Sequence, residues 1–211
     1  MEIVSLKQVG IKAAASNAAA VLQESGVILF PTDTLYGLGA DAFSNEAVDK
    51  VYAIKGRDEK KPIHAIVADL EMAAEYGVID DVVRRLSERL PKGKITFIIK
   101  KRPGLSGGIA SGIETFGFRI PDNEFCIAIA KAFGKPFTAT SANVAGQKPE
   151  RTLAAVLTQL GGNAKTIDAA FDAGELPDRE PSTVVDVSDG EVRILRKGPV
   201  SIEEINRELG L

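Results

Sequence analysis

Short polar clusters recur where stretches that read as strands come to an end. They are Thr32-Asp33-Thr34 with Tyr36, Lys55-Gly56-Arg57, Arg119, Ser141-Ala142-Asn143, Ser182-Thr183 and Arg196. Each has a plain structural reading. A Thr-Asp-Thr after a strand makes turns and caps. Lys55 and Arg57 at a helix end complement its dipole. Arg119 follows Phe116 and Phe118 at alternating positions and could face solvent opposite an apolar face. Taken together, the clusters offer anion handling. Arginine forks bind carboxylate and phosphate, lysine adds a point charge, and Ser, Thr and Asn supply neutral hydrogen bonds.

Several other chemistries lack their residues. The chain has no Gly-x-x-x-x-Gly-Lys-Ser/Thr loop, and no Gly-x-Gly-x-x-Gly follows a strand. Cys126 and His64 are the single cysteine and the single histidine, too few for a thiol triad or a zinc site, and no metal ligands are assigned. Cys126 sits in the apolar run 125–127 and reads as a buried structural thiol. His64 lies in the apolar run 63–67 and reads as a satisfied or surface strand residue rather than a general base. A reaction on such a chain would rely on positioning and electrostatics, as nucleotidyl and phosphoryl transfer do.

The elements that must hold these residues alternate between helical and extended patterns. Helices are expected over 12–23, over 45–54 behind a Ser44 cap, over 80–90, 123–133 and 151–160, and after Ser201. The last of these carries a Ser201/Glu204 capping box, with Val200 and Ile205 placed as its hydrophobic staple. Strands are expected over 27–30, 63–67, 95–99, 115–120 and 136–140, with a hairpin formed by 183–187 and 191–195 around Asp189-Gly190. The reading is one α/β domain over residues 1–211, with a mixed sheet because of the hairpin.

The 211 residues are 45% hydrophobic and 26% charged, a balance that can bury a real core. No stretch approaches the roughly 20 apolar residues of a membrane span. The N-terminus lacks a secretory layout, so a cytoplasmic protein with no membrane partner is expected. A net charge of -3 argues against nucleic-acid binding by the whole surface, although a local basic cleft is compatible with it. Lys92, Lys94, Lys100, Lys101 and Arg102 read as a solvated loop and a charged sheet edge.

In order along the chain, P-T-D-T-L-Y-G-L-G, K-G-R, T-F-G-F-R-I-P, T-S-A-N-V-A-G, P-S-T-V-V-D and R-I-L-R-K-G resemble the YrdC/TsaC family of threonylcarbamoyl-adenylate synthases. The resemblance implies a twisted mixed β-sheet flanked by helices, with a basic ligand cleft, in the form without an additional C-terminal domain. It also implies a reaction. L-threonine, bicarbonate or CO2 and ATP give threonylcarbamoyl-AMP and pyrophosphate, which supplies the N6-threonylcarbamoyl group of adenosine 37 in tRNA. Downstream threonylcarbamoyl-transferase proteins, and possible tRNA or RNA contact, come with it.

Carried over by position, Thr34, Arg119 and Ser182 resemble the threonine-binding set, with Arg119 on the carboxylate. Arg57, Ser141, Asn143 and Arg196 resemble ATP contacts, with Lys61 and Thr115 as further candidates. Lys55 and Arg57, with Mg²⁺ carried by ATP, would meet the charge growing on pyrophosphate. Gly37 and Gly39 would let backbone pass close to a ligand. The chain departs from the family where Asp58 follows K-G-R and where Ile66 takes a histidine's place, with His64 two residues earlier. A non-catalytic RNA-binding module and a nucleotide-binding paralogue remain as alternatives; the charge weighs against the first and the intact K-G-R and S-A-N against the second.

Overall fold

The computed structural model describes residues 1–56 and 62–211, so Arg57 and Lys61 lie outside the described residues. Its strands are β1 (Glu2–Ser5), β2 (Ile28–Pro31), β3 (Tyr36–Gly39), β4 (His64–Ile66), β5 (Ile95–Lys100), β6 (Thr115–Arg119), β7 (Phe137–Ser141), β8 (Ala169–Asp172), β9 (Thr183–Asp186) and β10 (Arg193–Arg196). Its helices are α1 (Leu6–Val9), α2 (Ile11–Gln23), α3 (Asn45–Lys55), α4 (Leu70–Tyr76), α5 (Asp81–Arg89), α6 (Glu124–Phe133), α7 (Leu153–Leu160) and α8 (Ile202–Leu209). Among the described residues, no helix is long and apolar enough to cross a membrane.

The strands form one ten-stranded mixed sheet in the order β1-β8-β2-β3-β7-β4-β6-β5-β9-β10. Four pairs are parallel (β1/β8, β2/β8, β4/β6, β5/β9) and the others are antiparallel. Helices cover both faces, which explains the continuous apolar run in β2. Ile28 and Phe30 point to the core built with α2 and α6, while Val27 and Leu29 point to the core built with α3, α5, α7 and α8.

Local signals set most helix ends. The Ser44, Asp80, Asn123 and Ser201 side chains accept from Ala47, Val83, Cys126 and Glu204 N–H groups three residues on. Gly56 ends α3 in the left-handed region at φ 56°. Val200 and Ile205 are both buried at the start of α8, as a staple requires.

Several expectations needed revision. β5 runs between β6 and β9, so the lysines near it do not guard a sheet edge. Lys101 Nζ instead donates to the Ala110 carbonyl and Arg102 Nε to the Ala74 carbonyl. Residues 36–39, for which no strand was expected, form β3. An added Cβ on Gly39 would lie 2.9 Å from Phe30 Cε1 and 3.1 Å from Phe137 Cδ2, so this glycine makes room for rings in the core rather than for a ligand. β1, α1, α4 and β8 were not anticipated.

Candidate functional site

The turn between β2 and β3 is built by one hydroxyl. Thr32 Oγ1 accepts from the Thr34 and Leu35 N–H groups, each at 3.1 Å, and donates to the Leu35 carbonyl at 2.7 Å. The Thr32 and Thr34 hydroxyls lie 3.1 Å apart, and either can be the donor. Thr34 lines the cavity.

That cavity, about 230 Å³, opens where β3, β7, β4 and β6 run side by side. It gathers Thr34, Arg119, Ser141, Ser182 and Arg196 from separate parts of the sequence. His64 on β4 also lines it, so the histidine faces the site although its neighbours are core. Thr32, from the Thr-Asp-Thr cluster marked in the sequence, also lines it, and Pro149 and Pro181 add wall that the sequence reading did not single out.

Arg119 is buried at the end of β6. Its Nε and Nη2 donate to the Gly93 carbonyl at 3.0 and 2.6 Å, and Nη2 also donates to Asp33 Oδ2 at 2.8 Å. Both side chains of this ion pair are almost fully enclosed, at 6% and 4% exposure. Arg196, at the end of β10, donates to the Ser182 carbonyl through Nε and Nη2, and to Ser182 Oγ at 3.2 Å. Burial first, then the charge of Arg119, holds its pKa below the usual guanidinium value. Ser182 Oγ is fixed from the other side by Thr96 Oγ1 at 2.7 Å. Thr96 was missed as a contributor, although a threonine within the apolar I-T-F-I-I of β5 is the kind of buried polar group that needs a partner.

Lys55 is nearly fully buried at the end of α3. Its ammonium donates to the carbonyls of Ser141 and Asn143 and to Asn143 Oδ1. Asn143 in turn donates to the Val144 and Gln147 carbonyls at 2.9 and 2.7 Å, and its Oδ1 accepts from Ser141 Oγ. Lys55 and Asn143 thus shape the turn that carries Ser141 into the cavity. Thr115 begins β6 opposite Lys100 and is not part of the cavity wall. At the rise of a strand it stands about 13 Å from Arg119.

Tyr36 is buried at the start of β3. Its hydroxyl donates to the Gly174 carbonyl at 2.8 Å and accepts from Ala173 N–H at 3.1 Å. Burial, chiefly, raises its pKa to about 12. Cys126 is fully buried, with its thiol 3.5 Å from the Pro31 carbonyl, and burial pushes its pKa up. It is structural, as expected.

Fold and site define an α/β protein with a small polar cavity at the middle of a mixed sheet, where hydroxyls and guanidinium groups converge. Residues 20–198 match the family model Sua5/YciO/YrdC, described as "Telomere recombination". The chain belongs to this family. It is 30% identical to a putative threonylcarbamoyl-AMP synthase of Methanocaldococcus jannaschii over 86% of this chain and 84% of that protein. It is 35% identical to the threonylcarbamoyl-AMP synthase of Bacillus subtilis over 92% of this chain but 56% of that protein. Among solved structures, P. abyssi Sua5 in complex with L-threonine superposes with a TM-score of 0.89 at 27% identity, covering 100% of this chain and 61% of that one. E. coli YciO, at 23% identity and a TM-score of 0.81, shares the fold over 97% of this chain and 98% of its own.

Proposed function

We propose that this chain, acting as one domain over residues 1–211, is a threonylcarbamoyl-AMP synthase. It joins L-threonine, bicarbonate or CO2 and ATP, and releases pyrophosphate. The observation that carries this reading is the cavity itself, which the Thr34 hydroxyl and the cationic Arg119 both line. An amino acid presents the complementary pair, an N–H donor and a carboxylate. The threonine-bound Sua5 relative and the synthase names of the sequence relatives support the same assignment.

In this reading Arg119 holds the substrate carboxylate and Thr34 accepts from its amino nitrogen, with Ser182 placed by Thr96 and Arg196 to complete the amino-acid side. Ser141 and Arg196 face the nucleotide, and Arg57 and Lys61 keep the ATP role that the family resemblance implies. Lys55 and Asn143 act through the Ser141 turn that they brace. Holding the carboxylated amine beside the α-phosphate supplies the orientation that the condensation needs. Mg²⁺ would arrive on the ATP phosphates. That ion would neutralise charge on the departing pyrophosphate. The product is a mixed anhydride, to be consumed by a threonylcarbamoyl-transferase acting on tRNA in the cytoplasm.

The test is incubation with ATP, Mg²⁺ and bicarbonate, following pyrophosphate release with and without L-threonine. Threonine-dependent release is expected, with valine slower by orders of magnitude, because a site built around a hydroxyl leaves polar groups unpaired without it. Release that is independent of the amino acid would overturn the reading.

A further inference from the structure

Arg119 cannot offer its whole fork to a ligand. A guanidinium carries five N–H hydrogens. Nε and Nη2 are engaged by the Gly93 carbonyl, and Nη2 also by Asp33 Oδ2. Among the described residues, the N–H groups without a protein acceptor are those on Nη1. Asp33 is correspondingly dedicated. It is buried, and among the described residues its Oδ1 has no hydrogen-bond partner. Gly93 sits against it at φ 73°, where an added Cβ would fall 2.2 Å from Asp33 Oδ2. Asp33 therefore has one visible task, to hold Arg119.

We infer that Asp33 is a positioning residue for ligand recognition. Together with the Gly93 carbonyl it fixes the guanidinium so that Nη1 alone meets the amino-acid carboxylate, in an end-on contact rather than a two-nitrogen fork. The inference rests on the amino-acid reading above and deepens it. Two alternatives are structurally simpler, that Asp33 neutralises a buried charge with no effect on recognition, and that substrate displaces Asp33 from Nη2.

The experiment compares L-threonine with L-threonine amide, which keeps the side chain and the amine but lacks the carboxylate. Wild type and Asp33→Asn are compared by calorimetric binding and by pyrophosphate release. Asp33→Asn preserves shape and one acceptor while removing the charge. Positioning predicts that the preference for threonine over its amide falls by about tenfold or more in the variant, with KM for ATP within about twofold. A merely structural role would weaken both ligands alike and leave their ratio unchanged, and that result overturns the inference.

Should Asp33→Asn fail to fold, wild type still decides. Arginine side-chain NMR should show a guanidinium of Arg119 with hindered rotation before ligand is added, and threonine should shift Nη1 while Nη2 stays bonded. Free rotation, or loss of the Nη2 bond on binding, overturns the inference. Failure of the functional reading is separate, because wild type would then bind neither compound.

Discussion

Arg119 and Asp33 form a pair whose members depend on each other. With Oδ1 already lacking a partner, Asp33 relies on Arg119 for its remaining bond. Arg119→Met should therefore strand a buried carboxylate and lower stability by about 3–5 kcal/mol, since breaking one side of a buried pair costs far more than the pair contributes. Urea unfolding checks this. Adding Asp33→Asn to Arg119→Met should recover part of the loss, whereas simple additivity would show that the carboxylate is not the origin. The sequence marks Arg119 as a residue suited to anions, but it does not mark the partner that holds it. Asp33 and Gly93 are distant in the chain, and only the fold shows that part of the guanidinium is already engaged.

At the scale of elements, the helices were the most legible because their ends are chemically marked. Ser44, Asp80, Asn123 and Ser201 each cap the turn that follows. β3 was not legible, because glycine at two of its four positions removes the side-chain alternation by which a strand is read. The structure supplies the missing reason: the bare backbone accommodates Phe30, whose ring meets that of Phe137 edge-on at 5.3 Å. Gly39→Ala should overpack this contact and cost about 1–3 kcal/mol. Thermal unfolding measures that directly. Pairing it with Phe30→Leu should restore part of the loss, and a neutral Gly39→Ala would show that the rings shift freely.

At the scale of the whole molecule, class and mixed topology followed from the alternation of elements and from the Asp189-Gly190 hairpin, which forms as β9 and β10. Strand order did not. Glu2 pairs with Ala169 in register, and no local pattern encodes a partner so far away. β1 and β8 are four-residue strands that were not anticipated, yet they complete one half of the sheet.

β7 is the strand through which β1-β8-β2-β3 meets β4-β6-β5-β9-β10. Its register with β3 is brief, Gly37 with Ser141 and Leu38 with Thr140, extended by Ala142 N–H on the Tyr36 carbonyl and Thr138 N–H on the Ala40 carbonyl. Thr34 and Tyr36 approach the cavity from one flank of this seam, and Arg119, Ser182 and Arg196 from the other. An occupant would then act as a rivet, and any opening that parts the two flanks must first eject it. At about a hundredfold excess over its dissociation constant such an occupant adds about 2.7 kcal/mol against that opening. Amide hydrogen exchange with saturating threonine and ATP should slow together on both flanks of β7, by up to about a hundredfold where exchange proceeds through their separation. Protection confined to one flank would mean that the ligand is gripped from that side alone and that the seam opens without releasing it.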